Sequence, residues 1–85
     1  MRLDQLRLLF DAGDLQSCVL LPALLESGPT PRWNLHVKRR NGALVALCLN
    51  RKVNGAEQAR IFHSLDAAFQ AAREIGFIEA RVRCG

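Results

Sequence analysis

His63 and Ser64 are the pair in this chain that comes closest to a catalytic arrangement. A nucleophile and its base must meet through side-chain geometry, which adjacent positions do not supply. Ser64 also has a sufficient use as a helix cap, its hydroxyl accepting from an orphan helix N–H. Asp4, Asp11 and Asp14 surround one short N-terminal segment, and solvated helix ends explain them better than paired acid/base carboxylates do. Cys18, Cys48 and Cys84 stand far apart with no C-x-x-C pair. A zinc site takes about four ligands, and only these thiols with His36 and His63 are offered. Cys18 and Cys48 lie in apolar runs, where a thiol behaves as a small core residue. Neither glycine-rich phosphate-binding pattern occurs, the P-loop G-x-x-x-x-G-K-[ST] or the dinucleotide G-x-G-x-x-G. The expectation is a protein that is not an enzyme, with no catalytic residue, cofactor or metal.

Charge placement carries more information. Positions 32–60 hold seven basic residues against Glu57 alone, while the rest of the chain holds five basic and seven acidic residues. Ten of the twelve cations are arginine, the side chain suited to bidentate phosphate or carboxylate recognition. The basic charge therefore belongs to the middle of the fold and not to a tail. Lys38, Arg40, Arg51, Lys52 and Arg60 are the residues expected to meet phosphates if nucleic acid is bound. No aromatic interleaves with them, so base stacking is not supported.

The elements that would position these residues are legible from spacing. Leu3, Leu6, Leu9 and Phe10 recur at helical intervals before Gly13, which predicts a helix over 3–12. Residues 16–21 form an apolar run closed by Pro22 and read as a strand. Residues 26–31 contain Pro29 and Pro31 and read as an exposed loop. Residues 32–40 and 43–51 flank Asn41-Gly42, a dipeptide preferred in two-residue type I′ hairpin turns. That register sets Arg40 opposite Ala43 and Lys38 opposite Val45. Trp33, Leu35 and Val37 then share the core face with Leu44, Ala46 and Cys48. Val45, Leu47 and Leu49 fall on the other face beside His36, Lys38 and Arg40. An apolar row there needs cover, from a second subunit, a partner protein or one of the helices, and a homodimer interface is the leading expectation. Asn54-Gly55 marks a second turn, leading into a strand over 58–62.

Residues 64–77 give the firmest local reading. Ser64 is the N-cap, Asp66 sits in the positive first turn, and Gly76 falls where a left-handed stop is wanted. Leu65, Ala68, Phe69, Ala72 and Ile75 make the apolar face, with Phe77 folding back on Ala72. Trp33, Leu35, Phe69 and Ile75 are expected to be buried. Beyond the helix, Ile78, Ala80, Val82 and Cys84 alternate with Glu79, Arg81 and Arg83 as a half-buried strand. The fold class is α+β, a small and mostly antiparallel sheet of 4–5 strands with two helices in the order α-β-β-β-β-α-β. The helices pack on the Trp33 face.

Eighty-five residues make one domain, 1–85, with a modest core. Composition is 49% hydrophobic and 24% charged, ordinary for a globular chain. Arg2, Asp4 and Arg7 break any signal-peptide core, and the longest uncharged run, 15–25, spans 11 residues with Pro22 inside it. That is too short to cross a bilayer. An odd cysteine count without a framework fits a reducing compartment, so the expected location is the cytoplasm, without membrane contact.

Three segments together resemble a group of short bacterial ParC-type proteins, partition-associated proteins of plasmids and conjugative elements. They are the opening Leu3-x-x-Leu6-x-x-Leu9-Phe10-x-Ala12-Gly13, the hairpin start Trp33-x-Leu35-x-Val37, and Arg60-x-Phe62-x-Ser64-Leu65-Asp66-Ala67-Ala68 followed by Ile75-Gly76-Phe77. They touch about half of the chain, and the matched residues are caps and core positions. The resemblance implies an accessory role in plasmid partition or maintenance and transfers no catalytic or binding residue. It departs from the partition machinery itself, because the chain has neither a Walker motif nor a helix-turn-helix. The leading expectation is a non-enzymatic, dimeric interaction protein acting on a protein partner encoded by the same mobile element. The alternative is a small DNA-binding accessory factor or regulator that uses the basic hairpin face for weak, sequence-tolerant contact. A third reading is an inhibitor of a host defence or nucleic-acid-processing complex.

Overall fold

The structure is a computed structural model that describes residues 1–23 and 32–83. The expected loop at 26–31, and the place of Cys84 in the last strand, lie outside the described residues. The order is α1 (Leu3–Asp11), β1 (Leu15–Pro22), β2 (Trp33–Arg39), β3 (Leu44–Ala46), α2 (Leu65–Ile75) and β4 (Arg81–Val82). The strands form one sheet in the order β3-β2-β1-β4. β1 pairs antiparallel with β2, and β2 with β3, while β4 joins β1 parallel. This is the α+β architecture anticipated from the sequence, with one parallel edge.

Local signals account for α2. The Ser64 hydroxyl accepts from the Ala67 N–H at 3.1 Å, which satisfies one orphan donor of the first turn. At the other end, the N–H groups of Gly76 and Phe77 both donate to Ala72 O. Gly76 adopts φ +135°, where a side chain is strained, and an added Cβ would stand 2.5 Å from the Phe10 ring. The same closeness seats Phe10 edge-on against Phe77, with ring centroids 5.0 Å apart. Gly76 thus terminates α2 and also lets α1 pack against it. α1 is capped differently, by the Gln5 side chain accepting from the Arg2 N–H at 2.8 Å.

The buried face of α2 differs from the expected one. Ala68, Ala71, Ala72 and Ile75 are buried, whereas Phe69 remains 36% exposed. The helix lies close to β1 and β2, and small alanines permit that approach while the larger ring stays at the flank. Trp33, Leu35 and Ile75 are buried as expected.

The two Asn-Gly turns take different forms. Asn54 and Gly55 both have positive φ, 53° and 77°, and Val53 and Ala56 exchange both backbone bonds, as a two-residue type I′ turn requires. At the first turn only Gly42 is positive. Arg39 pairs with Ala43, Gly42 N donates back to Arg39 O, and Asn41 Oδ1 accepts from Ala43 N. The loop therefore holds three residues, a tight turn closed by a left-handed glycine. Lys38 now lies opposite Leu44, Val37 opposite Val45, and His36 opposite Ala46. Because side chains alternate, a slip of one residue moves every β3 side chain to the other face.

Three expected strands are reduced, the one over 43–51 to Leu44–Ala46. Residues 58–62 contribute only isolated bridges, Cys48 with Ala59 and Trp33 with Phe62, and the last strand is confined to Arg81–Val82.

Candidate interaction face of the sheet

Among the described residues, the sheet has one covered face and one bare face. On the covered side, Leu20, Leu35, Val37 and Leu47 pack with the buried residues of α2 and with Leu6 of α1. Leu47 is 1% exposed. The row Val45, Leu47 and Leu49, expected to be an outward subunit interface, is corrected by this register. Leu47 is core, Val45 packs against the core, and Leu49 is half-buried. A dimer formed through Leu47 would have to open the core.

Among the described residues, no element covers the opposite face. Pairing aligns Ser17, Val19 and Leu21 of β1 with Lys38, His36 and Asn34 of β2, Leu44 and Ala46 of β3 continue the row beyond β2, and Arg81 lies beside Val19. Leu44 is 54% exposed. A shallow trough of about 790 Å³ crosses this face, its rim carrying Lys38, Arg81 and Arg83 and its floor including Val19, Leu21 and Leu44. Among the described residues, no Asp or Glu lines it. Lys38, Arg81 and Arg83 make no ion pair among the described residues.

His36 stands in the middle of the same face. Its Nδ1 is buried without a hydrogen-bond partner among the described residues, and burial lowers the imidazole pKa below its ordinary value of 6.5. Neutral imidazole is therefore the favoured form at neutral pH. Cys18, on the covered face, is a different case: burial pushes its thiol up to about 12, which leaves almost no thiolate for chemistry.

The five cations expected to form one basic surface are dispersed. Lys38 alone borders the trough. Arg40 sits at the hairpin tip, where its Nε donates to Gly13 O at 2.6 Å and its backbone N–H to Asp14 O. The Arg60 guanidinium lies over the Phe62 ring, 4.8 Å from its centroid. Arg51 and Lys52 belong to the 50–57 segment and gather instead with Arg2, Gln5 and Glu57 near the start of α1. Their separation follows from the reduced strands, since residues beyond Leu47, whose N–H still donates to Leu35 O, leave the β2 ladder and no longer continue its alternation. Arg39 ties the hairpin to the α1–β1 turn by donating from Nε to Asp14 Oδ2 at 2.8 Å. The cations that do join Lys38, Arg81 and Arg83, came from the alternation 78–84, whose polar side was legible although its partner face was not.

The catalytic pairing weighed for His63 and Ser64 is not assembled, because the Ser64 hydroxyl caps α2 and His63 is exposed. Among the described residues, no three His, Cys, Asp or Glu side chains gather as a metal site would need, and no helix is long and apolar enough to cross a membrane. Compared with known proteins, the chain matches no family model, no curated protein and no solved structure.

Proposed function

We propose that this chain is a non-enzymatic docking protein that holds a protein partner on the bare face of its sheet. We propose its setting as accessory to the partition or maintenance of a plasmid or other mobile element, the partner being encoded by the same element. The observation that carries the docking reading is the trough itself, where Val19, Leu21 and Leu44 lie with three cations that make no ion pair among the described residues. Contiguous apolar surface with a charged rim is characteristic of interaction sites. The setting rests on the ParC-type resemblance of α1, the hairpin and α2, whose matched residues include the core positions Leu6, Trp33, Leu35, Val37, Phe62, Ala68 and Ile75. Direct DNA binding is the second reading, favoured by the same three cations. At about −0.9 per phosphate neutralised, three contacts give a log–log salt slope of only about −2.7, weak and sequence-tolerant.

Site-specific photo-cross-linking in cells that carry the element tests the docking reading. A benzophenone amino acid replaces Leu44 on the bare face in one variant and Gln70 on the exposed side of α2 in another. A discrete protein adduct from position 44 and none from position 70 is expected. Adducts only from position 70, nucleic acid in the position-44 adduct, or no adduct from either position would overturn it.

A further inference from the structure

We infer that the partner presents an acidic protein segment, in which carboxylates flank an apolar residue, and that this segment lies across Val19 and Leu44 with its carboxylates on Lys38 and Arg81. The inference rests on the docking reading and names the chemistry of the occupant. Three observations select it over the other occupants of such a face.

Charge comes first. Among the described residues the trough exposes Lys38, Arg81 and Arg83 and no carboxylate, so the complement to these cations is negative. Arginine favours carboxylate through its planar, bidentate fork. Lys38 and Arg81 stand on strands to either side of β1, with Lys38 level with Ser17 and Arg81 level with Val19. Two strand spacings across and two residues along place their Cα atoms about 12 Å apart. Carboxylates at that separation leave room for an apolar side chain between them, over Val19.

The floor comes second. Val19, Leu21 and Leu44 would lie under sugar and phosphate if nucleic acid were bound, and no aromatic residue lines the trough to stack a base. A protein segment instead buries that surface with an apolar side chain. The neutral His36 in the same face fits contact with a partly apolar partner better than with a phosphate backbone.

Symmetry comes third. A two-fold interface sets the same patch against itself, which would bring Lys38, Arg81 and Arg83 of two copies together. Antiparallel pairing of the free β4 edges would likewise set Arg81 near Arg83 of the other copy, an unfavourable like-charge contact. A second copy of this chain is therefore a poor occupant, and an acidic foreign segment a good one.

The test is titration of the isotope-labelled full chain, followed by amide resonances, with three probes at low salt. The first is a twelve-residue peptide carrying glutamates on both sides of a leucine pair, the second is its glutamine counterpart, and the third is a twelve-base-pair duplex. The glutamate peptide should shift resonances near Val19, His36, Lys38, Leu44 and Arg81, and bind at least tenfold more tightly than either other probe. Combined Lys38→Glu and Arg81→Glu should abolish that binding, whereas combined Arg51→Glu and Lys52→Glu should leave it within about twofold. The milder Lys38→Gln with Arg81→Gln should weaken it at least fivefold while preserving the spectrum of the folded chain. Equal binding of the glutamine peptide, tighter binding of the duplex on this face, shifts centred on Arg2 and Lys52, or no peptide binding would each overturn the inference. A position-44 protein adduct in cells together with a failed peptide titration would leave docking standing and reject only the acidic occupant.

Discussion

Truncation of Leu47 separates the two possible registers of the central hairpin, because Leu44 and Leu47 exchange faces between them. In the three-residue turn observed here, Leu47 is 1% exposed and Leu44 is 54% exposed. A buried leucine cut to alanine loses its transfer free energy and leaves a cavity, typically 2–5 kcal/mol. The site is enclosed by Leu35 in the neighbouring strand and by the rest of the buried cluster, so a value near ~3 kcal/mol is expected for Leu47→Ala. Total stability for 85 residues is on the order of 4–13 kcal/mol, so the variant should remain folded but lose a large part of its margin. For a chain of this size each kcal/mol moves the melting temperature by about 4–8 °C, which gives a drop of about 12–24 °C. Leu44→Ala should stay within about 0.5 kcal/mol of the unaltered chain. Urea denaturation followed by tryptophan fluorescence suits the purpose, since Trp33 is buried in the same core, and the slope of the transition should be unchanged. A neutral Leu47→Ala beside a destabilising Leu44→Ala would refute the register, and with it the assignment of the bare face.

Gly76→Ala should cost about 2–5 kcal/mol, from the backbone strain at positive φ and from overpacking on Phe10; adding Phe10→Leu should recover part of it in a double-mutant denaturation series. Cys18, with its thiol near 12, should have a thiolate fraction of roughly one in ten thousand at pH 8. Mass-spectrometric mapping after brief iodoacetamide treatment should find it unlabelled until the chain is unfolded. His36 contributes a pH dependence of definite sign: its folded pKa lies below 6.5, so on acidification the unfolded chain takes up the proton first. Stability should therefore fall as pH drops below about 6.5 and the slope should diminish in His36→Asn, measured by urea midpoints between pH 7 and 5. A midpoint rising on acidification would contradict that burial.

Legibility from sequence tracked how local the determinant was. The α2 segment was readable because its cap, first-turn acid and glycine stop all act within one helix, and Asn54-Gly55 was readable because both residues take the positive φ that a two-residue turn needs. Asn41-Gly42 was not, since the same pair serves a two-residue and a three-residue loop, and only pairing with β2 and the Asn41 side-chain bond to Ala43 choose between them. That single residue of slip turned Leu47 from an exposed row into the core and brought Leu44 to the bare face. Phe69 shows a similar limit. Helical spacing defines a stripe, but the close approach of α2 to the sheet favours the alanines and leaves the ring at its margin. The basic surface was legible in sum and not in place. Arg40 is held by Gly13, distant in sequence, and Arg60 by Phe62 two residues on, while Arg81 and Arg83 join the face of Lys38 only because β4 returns beside β1 and not beside β3.

The bareness of the sheet face is the claim on which docking depends, and a soluble paramagnetic probe measures it directly. With methyl-labelled full chain and increasing nitroxide, signals of Leu44, Ala46 and Val19 should broaden strongly, and those of Leu35, Val37 and Leu47 should be spared. The pattern should not change between dilute and high-micromolar protein, where a self-associating face would become shielded. Shielded Leu44 and Ala46 in the isolated chain, or broadening that disappears with concentration, would contradict a free face awaiting a foreign partner.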